Sequence, residues 1–163
     1  MDNELTEIIK NVCNTLDEEK VEYLIVGGTA VAIYGYYRLS TLPNGTISKK
    51  YDIDFWFNAT LSNIDNLIKA LTKLGIDLSE LSDTVIVPKK TYLRYEFENF
   101  KIDFLPLING VENFLSAYRN KFILNIDNVK INVISLTDLI SNKNATGRAK
   151  DLEDVKILTL KKE

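Results

Sequence analysis

Asp52 and Asp54 stand two residues apart in Tyr51-Asp52-Ile53-Asp54-Phe55-Trp56-Phe57, a run of strand-forming residues. In a strand, residues i and i+2 point to the same face. The two carboxylates therefore sit side by side, with Ile53, Phe55 and Phe57 on the opposite face. Two such anions repel each other unless positive charge lies between them. Mg²⁺ suits that place, because it takes oxygen ligands from one or two carboxylates plus substrate phosphates. A lone Asp-x-Asp is more often a solvated acidic face on an edge strand, so its company decides its meaning.

Two other stretches could share that chemistry. Asp103 lies among apolar residues in Lys101-Ile102-Asp103-Phe104-Leu105, a strand that Pro106 ends. An aspartate there is costly unless it is paired, metal-bound or at a wet edge. An adjacent antiparallel strand carrying it would complete a three-carboxylate cluster with Asp52 and Asp54. Upstream, the strand Glu22-Tyr23-Leu24-Ile25-Val26 runs into Gly27-Gly28-Thr29 and then a helix that Gly35 closes. Glycines let backbone approach a ligand, and a new helix offers free N–H groups with a positive dipole end. The same residues also make a tight strand-to-helix turn. Between the two motifs, Leu39–Lys50 contains Pro43 and Asn44-Gly45 and reads as an exposed loop or hairpin tip. Its Lys49-Lys50 pair is a solvated turn or a substrate contact.

Composition narrows the alternatives. With no histidine and a single cysteine, Ser-His-Asp and Cys-His catalysis and ordinary zinc sites are excluded. Chemistry must rest on carboxylates, Lys, Arg, hydroxyls and a metal. A net charge of −3 argues against a broadly basic surface that coats nucleic acid. Cys13 falls in an apolar stripe and reads as core, in a chain suited to a reducing compartment. No apolar run approaches the roughly 18 residues that span a bilayer, and the polar start lacks a signal-peptide core. These features predict a cytoplasmic protein without membrane contact. At 163 residues, 45% hydrophobic and 26% charged, a single domain with a real core is expected.

The elements that must position these residues follow from periodicity. Leu5, Ile8, Ile9, Val12, Cys13 and Leu16 predict an amphipathic helix over 4–18. Leu61 to Leu74 predicts another, ended by Gly75. Thr84–Val87 reads as a strand ending at Pro88, and Thr91 to Asn99 as a second, turning at Asn99 into the Asp103 strand. A short helix over 111–118 and a hairpin about Asp127-Asn128 come next. Ser135 caps a helix with Asp138 at its third position, Gly147 ends it, and a last helix opens near Arg148.

In order and content, Val26-Gly27-Gly28-Thr29, Asp52-Ile53-Asp54-Phe55 and Ile102-Asp103-Phe104 resemble the nucleotidyltransferase superfamily with the DNA-polymerase-β-like fold. Gly35, Arg38 and the tail from Ser135 through Lys143, Arg148, Lys150, Asp151 and Asp154 are similar to AbiEii-type and minimal bacterial members. The resemblance spans about residues 21–158. It departs from the usual pattern in a spacer lengthened by the Leu39–Lys50 loop, which splits Arg38 from Asp52. It implies an α/β (α+β) fold with a mixed, mostly antiparallel sheet and helices packed mainly on one side. It also implies transfer of an NMP from an NTP, with Mg²⁺ or Mn²⁺, to a hydroxyl on RNA (tRNA included) or protein, in a toxin or defence setting. By resemblance Asp52, Asp54 and Asp103 are metal ligands, and Asp103 also helps to deprotonate the acceptor. Gly27, Gly28 and Thr29 cradle phosphates, and Lys143 neutralises them. Arg148 joins that binding set or, with Asp151, forms a capping ion-pair network; Asp154 reads as structural. An acceptor site borrowed from a partner, an antitoxin or a second copy fits a chain this short. The rival reading of another class is a catalytically silent nucleotide-binding module; a plain structural domain with a solvated acidic strand is the third.

Overall fold

In the computed structural model, which describes residues 3–35, 50–81 and 85–160, the N-terminal stripe forms helix α1 (Asn3–Glu18) with Leu5, Ile9, Val12, Cys13 and Leu16 buried. Strand β1 (Tyr23–Val26) is buried along its length and passes directly into α2 (Gly27–Ile33). There follow β2 (Tyr51–Phe57), α3 (Leu61–Lys73), β3 (Leu93–Glu96) and β4 (Phe100–Leu105). The chain then forms α4 (Phe114–Arg119), β5 (Phe122–Ile126), β6 (Val129–Val133), α5 (Leu136–Thr146) and α6 (Ala149–Leu160). Arg38, Lys49 and the Leu39–Lys50 loop up to residue 49 lie outside the described residues.

Local chemistry sets the boundaries. Asp127 and Asn128 take φ of 48° and 67°, as a type I′ turn requires, and close the β5–β6 hairpin. The Ser135 hydroxyl accepts from Asp138 N at 3.1 Å, and left-handed Gly147 ends α5. Ser135→Ala is expected to cost about 1 kcal/mol, read as a lower urea midpoint at unchanged slope.

The six strands make one sheet in the order β3-β4-β2-β1-β6-β5. Three pairs are antiparallel (β1/β2, β3/β4, β5/β6) and two parallel (β1/β6, β2/β4). This is the mixed, mostly antiparallel α/β sheet the sequence predicts. Two expectations are corrected. The Asp103 strand is adjacent to β2 but parallel to it. A crossover through α3 and the β3–β4 hairpin, rather than a tight turn, links the two, and a long connection permits parallel pairing. Val85–Val87 forms no strand; Thr84 lies outside the described residues. The turn at Pro88 captures the polar groups of Val87: its carbonyl accepts from Lys90 N and Thr91 N, both at 2.8 Å, and its N–H donates to Thr91 Oγ1. Val85 is left 85% exposed.

One sheet face is apolar. Phe55 stacks on Phe104 with ring centroids 5.1 Å apart and meets Tyr23 edge-on at 5.5 Å. Helix α1 packs on β6 and α3 and brings Cys13 against Tyr23 on this side. Burial pushes the Cys13 thiol up to about 12, which makes it core rather than nucleophile. On the other face, Trp56 meets Phe114 of α4 edge-on at 5.1 Å. No helix among the described residues is long and apolar enough to cross a membrane.

Candidate active site

The sheet register assembles the charges. Arg94, Asp103, Asp54 and Val26 form one rung across β3, β4, β2 and β1. Two residues along, Glu96, Lys101 and Asp52 form a second. Residues two apart share a face, so both rungs project to the same side. All three sequence-predicted aspartates are therefore on one surface.

Each aspartate meets a different environment. Arg94 grips Asp103 bidentately, Nε to Oδ1 and Nη2 to Oδ2, both at 2.8 Å. Burial alone would raise the Asp103 carboxyl; the hydrogen bonds from Arg94 and Tyr92 outweigh it and hold the group below its usual range. Lys101 Nζ lies 3.1 Å from Asp52 Oδ1, yet that buried oxygen has no hydrogen-bond partner. The Asp54 carboxyl is pushed up to about 6, first by burial and then by the charges of Asp103 and Asp52. Lys143 and Lys101 oppose that shift only through space.

Gly27 follows Val26 and has φ of +64°. A Cβ there would run into Asp54 Oδ2, so both backbone and space demand glycine. Gly28 is exposed, and a Cβ there would meet nothing within 4 Å. Gly27→Ala is expected to cost roughly 2–3 kcal/mol from left-handed strain plus the clash, in a thermal melt where Gly28→Ala changes little. The Thr29 hydroxyl donates to the Asp52 carbonyl at 2.8 Å and pins the first turn of α2 to β2. Its donor is thus spent inside the protein.

Beside Gly27 and Asp54 opens a cleft of about 280 Å³, walled by Leu105, Leu107, Asn142, Lys143 and Arg148 among others. Lys143 is buried, with Nζ 2.8 Å from Asp151 Oδ1 and 3.0 Å from Asp154 Oδ2. Arg148 Nε donates to Asp151 Oδ2 at 2.5 Å and Nη2 to Oδ1 at 3.2 Å. The Asp151 and Asp154 side chains are fully buried. Lys143 and Arg148 thus border the cleft while their charges are matched by an α5–α6 ion-pair network; Arg148 stays 58% exposed at its rim.

Arg94 and Lys101 were not legible as site residues from spacing alone. The signal was the hairpin turn at Asn99: counting back from it pairs Arg94 with Asp103 and Glu96 with Lys101. Among the described residues no ready-made set of three acidic ligands is present. The residues nevertheless fit a hard divalent cation. Asp52 has a buried oxygen without a hydrogen bond, and Asp54 is a carboxyl whose burial and anionic neighbours a cation would offset.

Solved structures with this fold are nucleotidyltransferase-like proteins. An antigenic nucleotidyltransferase-like protein from Paracoccidioides brasiliensis is 19% identical, with TM-score 0.51 over 96% of this chain and 76% of its own. A provisionally named nucleotidyltransferase from Thermotoga maritima is 14% identical, with TM-score 0.59 over 99% of this chain and 96% of its own. The lincosamide antibiotic adenylyltransferase LnuA, solved with lincomycin, is 20% identical, with TM-score 0.57 over 98% of this chain and 96% of its own. At such identities the likeness is one of fold. The chain belongs to the family described as nucleotidyltransferase of unknown function (DUF6036), which it matches over residues 3–163. No curated protein matches it.

Proposed function

We propose that this protein is a Mg²⁺-dependent enzyme that moves a nucleoside monophosphate from an NTP to a hydroxyl acceptor. The observation that carries the reading is the shared surface of Asp52, Asp54 and Asp103, of which Asp54 lines the cleft beside Gly27. Asp52 and Asp54 would hold the cation, with Asp103 beside them. When bound, the metal neutralises phosphate charge and makes the acceptor hydroxyl a better nucleophile.

The protein groups do the rest. Exposed Gly28 lets the phosphate chain approach the backbone, and Gly27 leaves room for Asp54 beneath it. Lys143 offsets negative potential at Asp54, and Arg148 presents charge at the cleft rim. A carboxylate of the cluster takes the acceptor proton as the new O–P bond forms and the bond to pyrophosphate breaks. The acceptor is a hydroxyl of RNA or protein; the fold also serves LnuA, solved with lincomycin, which adds a small molecule to the classes worth assaying. A toxin or defence role, with an antitoxin or second copy as partner, is the setting the sequence resemblance favours.

One observation favours a second reading, a catalytically silent module: Arg94 and Lys101 counter two of the three carboxylates without a metal. Incubation with each NTP labelled at the α-phosphate, Mg²⁺ or Mn²⁺, bulk tRNA and cell lysate separates the two. Label that moves with the native chain and not with Asp54→Asn supports the enzyme. Tight metal–NTP binding without transfer to any acceptor supports the silent module.

A further inference from the structure

Arg94 carries an inference that rests on this reading and goes beyond it. A guanidinium fork engaged with both oxygens of Asp103 opposes any cation that needs the same oxygens. The contact is not a sealed structural bridge. The Arg94 side chain is 49% exposed on edge strand β3, its guanidinium 5.4 Å from the Tyr92 ring centroid, whereas Asp103 is 9% exposed. One partner is fixed in the sheet; the other is a long chain facing solvent. Lys101 is the weaker competitor, since its approach to Asp52 lacks hydrogen-bond geometry.

We propose that Arg94 is a resident counter-cation that a divalent metal displaces from Asp103, and that the freed guanidinium then binds a substrate phosphate. The same fork matches phosphate as well as carboxylate, so the exchange conserves charge-assisted hydrogen bonds. Arg94 lies one strand beyond Asp103 in the rung that contains Asp54. At a strand spacing of about 4.8 Å, Arg94 and Asp54 stand two spacings apart, roughly 10 Å, so a phosphate lying from Asp54 toward Asp103 is within reach of an arginine side chain.

Competition predicts opposite signs for two affinities, which a purely structural bridge does not. Mn²⁺ binding to the full chain is followed by electron paramagnetic resonance, and tripolyphosphate binding by calorimetry in saturating Mn²⁺. Arg94→Gln is expected to tighten Mn²⁺ by roughly 3–10-fold, as a competing unit charge is removed. It is expected to weaken tripolyphosphate by about 10-fold, for a lost bidentate charge-assisted contact. Arg94→Lys should bind Mn²⁺ like the native chain and tripolyphosphate less well, because it keeps the charge and loses the fork. If Arg94→Gln weakens both ligands or changes neither, the displacement proposal is overturned. Native Mn²⁺ binding that Asp54→Asn abolishes would sustain the functional reading even then. Absence of Mn²⁺ binding by the native chain would overturn both.

Discussion

Asp54→Asn is expected to abolish nucleotide transfer while making the ligand-free protein more stable at neutral and alkaline pH. The Asp54 carboxyl is pushed up to about 6 in the folded protein, against an ordinary value of 3.8, chiefly by burial and then by Asp103 and Asp52. Below pH ~4 it is protonated in folded and unfolded chains alike, and the site costs nothing. As pH rises from about 4 to 6 the unfolded chain gives up its proton first, so stability falls. Above about 6 the folded state holds a disfavoured anion, a cost on the order of 1–3 kcal/mol. Asparagine removes that charge. Thermal melts without metal should therefore show the variant ahead at pH 8 and level with the native chain at pH 4. Label transfer should fall by a factor of about 10³, roughly 4 kcal/mol of barrier. A variant less stable than the native chain at pH 8 would show that the carboxylate is satisfied as it stands. The same linkage predicts that Mg²⁺ stabilises the native chain more at pH 8 than at pH 5, where protons compete for the site.

Lys143→Ala has the largest expected effect on folding. It would take from Asp151 and Asp154, both fully buried in the α5–α6 interface, an ammonium that lies within 3.0 Å of each. Breaking a buried pair from one side costs about 3–5 kcal/mol, because the remaining charge cannot return to water. Asp151 keeps its Arg148 contacts, which places this site at the lower end. Arg148→Ala should cost much less, about 1 kcal/mol, because its side chain is 58% exposed and its charge screened. Removing both acids together, as Lys143→Met with Asp151→Asn and Asp154→Asn, should recover most of the loss. Urea unfolding of the three variants checks the order; a Lys143→Ala loss under 1 kcal/mol would mean that water reaches the acids.

The elements were legible where local chemistry speaks. Helical spacing marked α1 and α3, Asp127-Asn128 marked the β5–β6 turn, and Ser135 with Gly147 bracketed α5. The Asp-x-Asp pattern placed Asp52 and Asp54 on one face because period two is a property of any strand. Direction of pairing is not local, so the sequence could not say that Asp103 arrives on a parallel neighbour. Nor could β-branched content near Val85–Val87 reveal that the Pro88 turn would take the hydrogen bonds a strand needs. The tail motif was visible, but its burial was not: residue type alone does not tell a phosphate-facing lysine from one held between Asp151 and Asp154. Arg94 was hidden for the opposite reason, since a basic residue on an alternating strand is commonplace until its cross-strand partner is known.

The sealed Cys13 has a use outside catalysis. It is the only thiol in the sequence, lies at 0% exposure, and burial raises it to about 12. A maleimide or iodoacetamide at pH 8 finds almost no thiolate in the closed molecule, so the labelling clock runs only while α1 stands away from the sheet. With closing faster than alkylation, the observed rate is the intrinsic thiol rate scaled by the fraction of time spent open. The native chain thus carries its own breathing gauge, able to report whether metals and nucleotides quiet the scaffold without any assay of turnover.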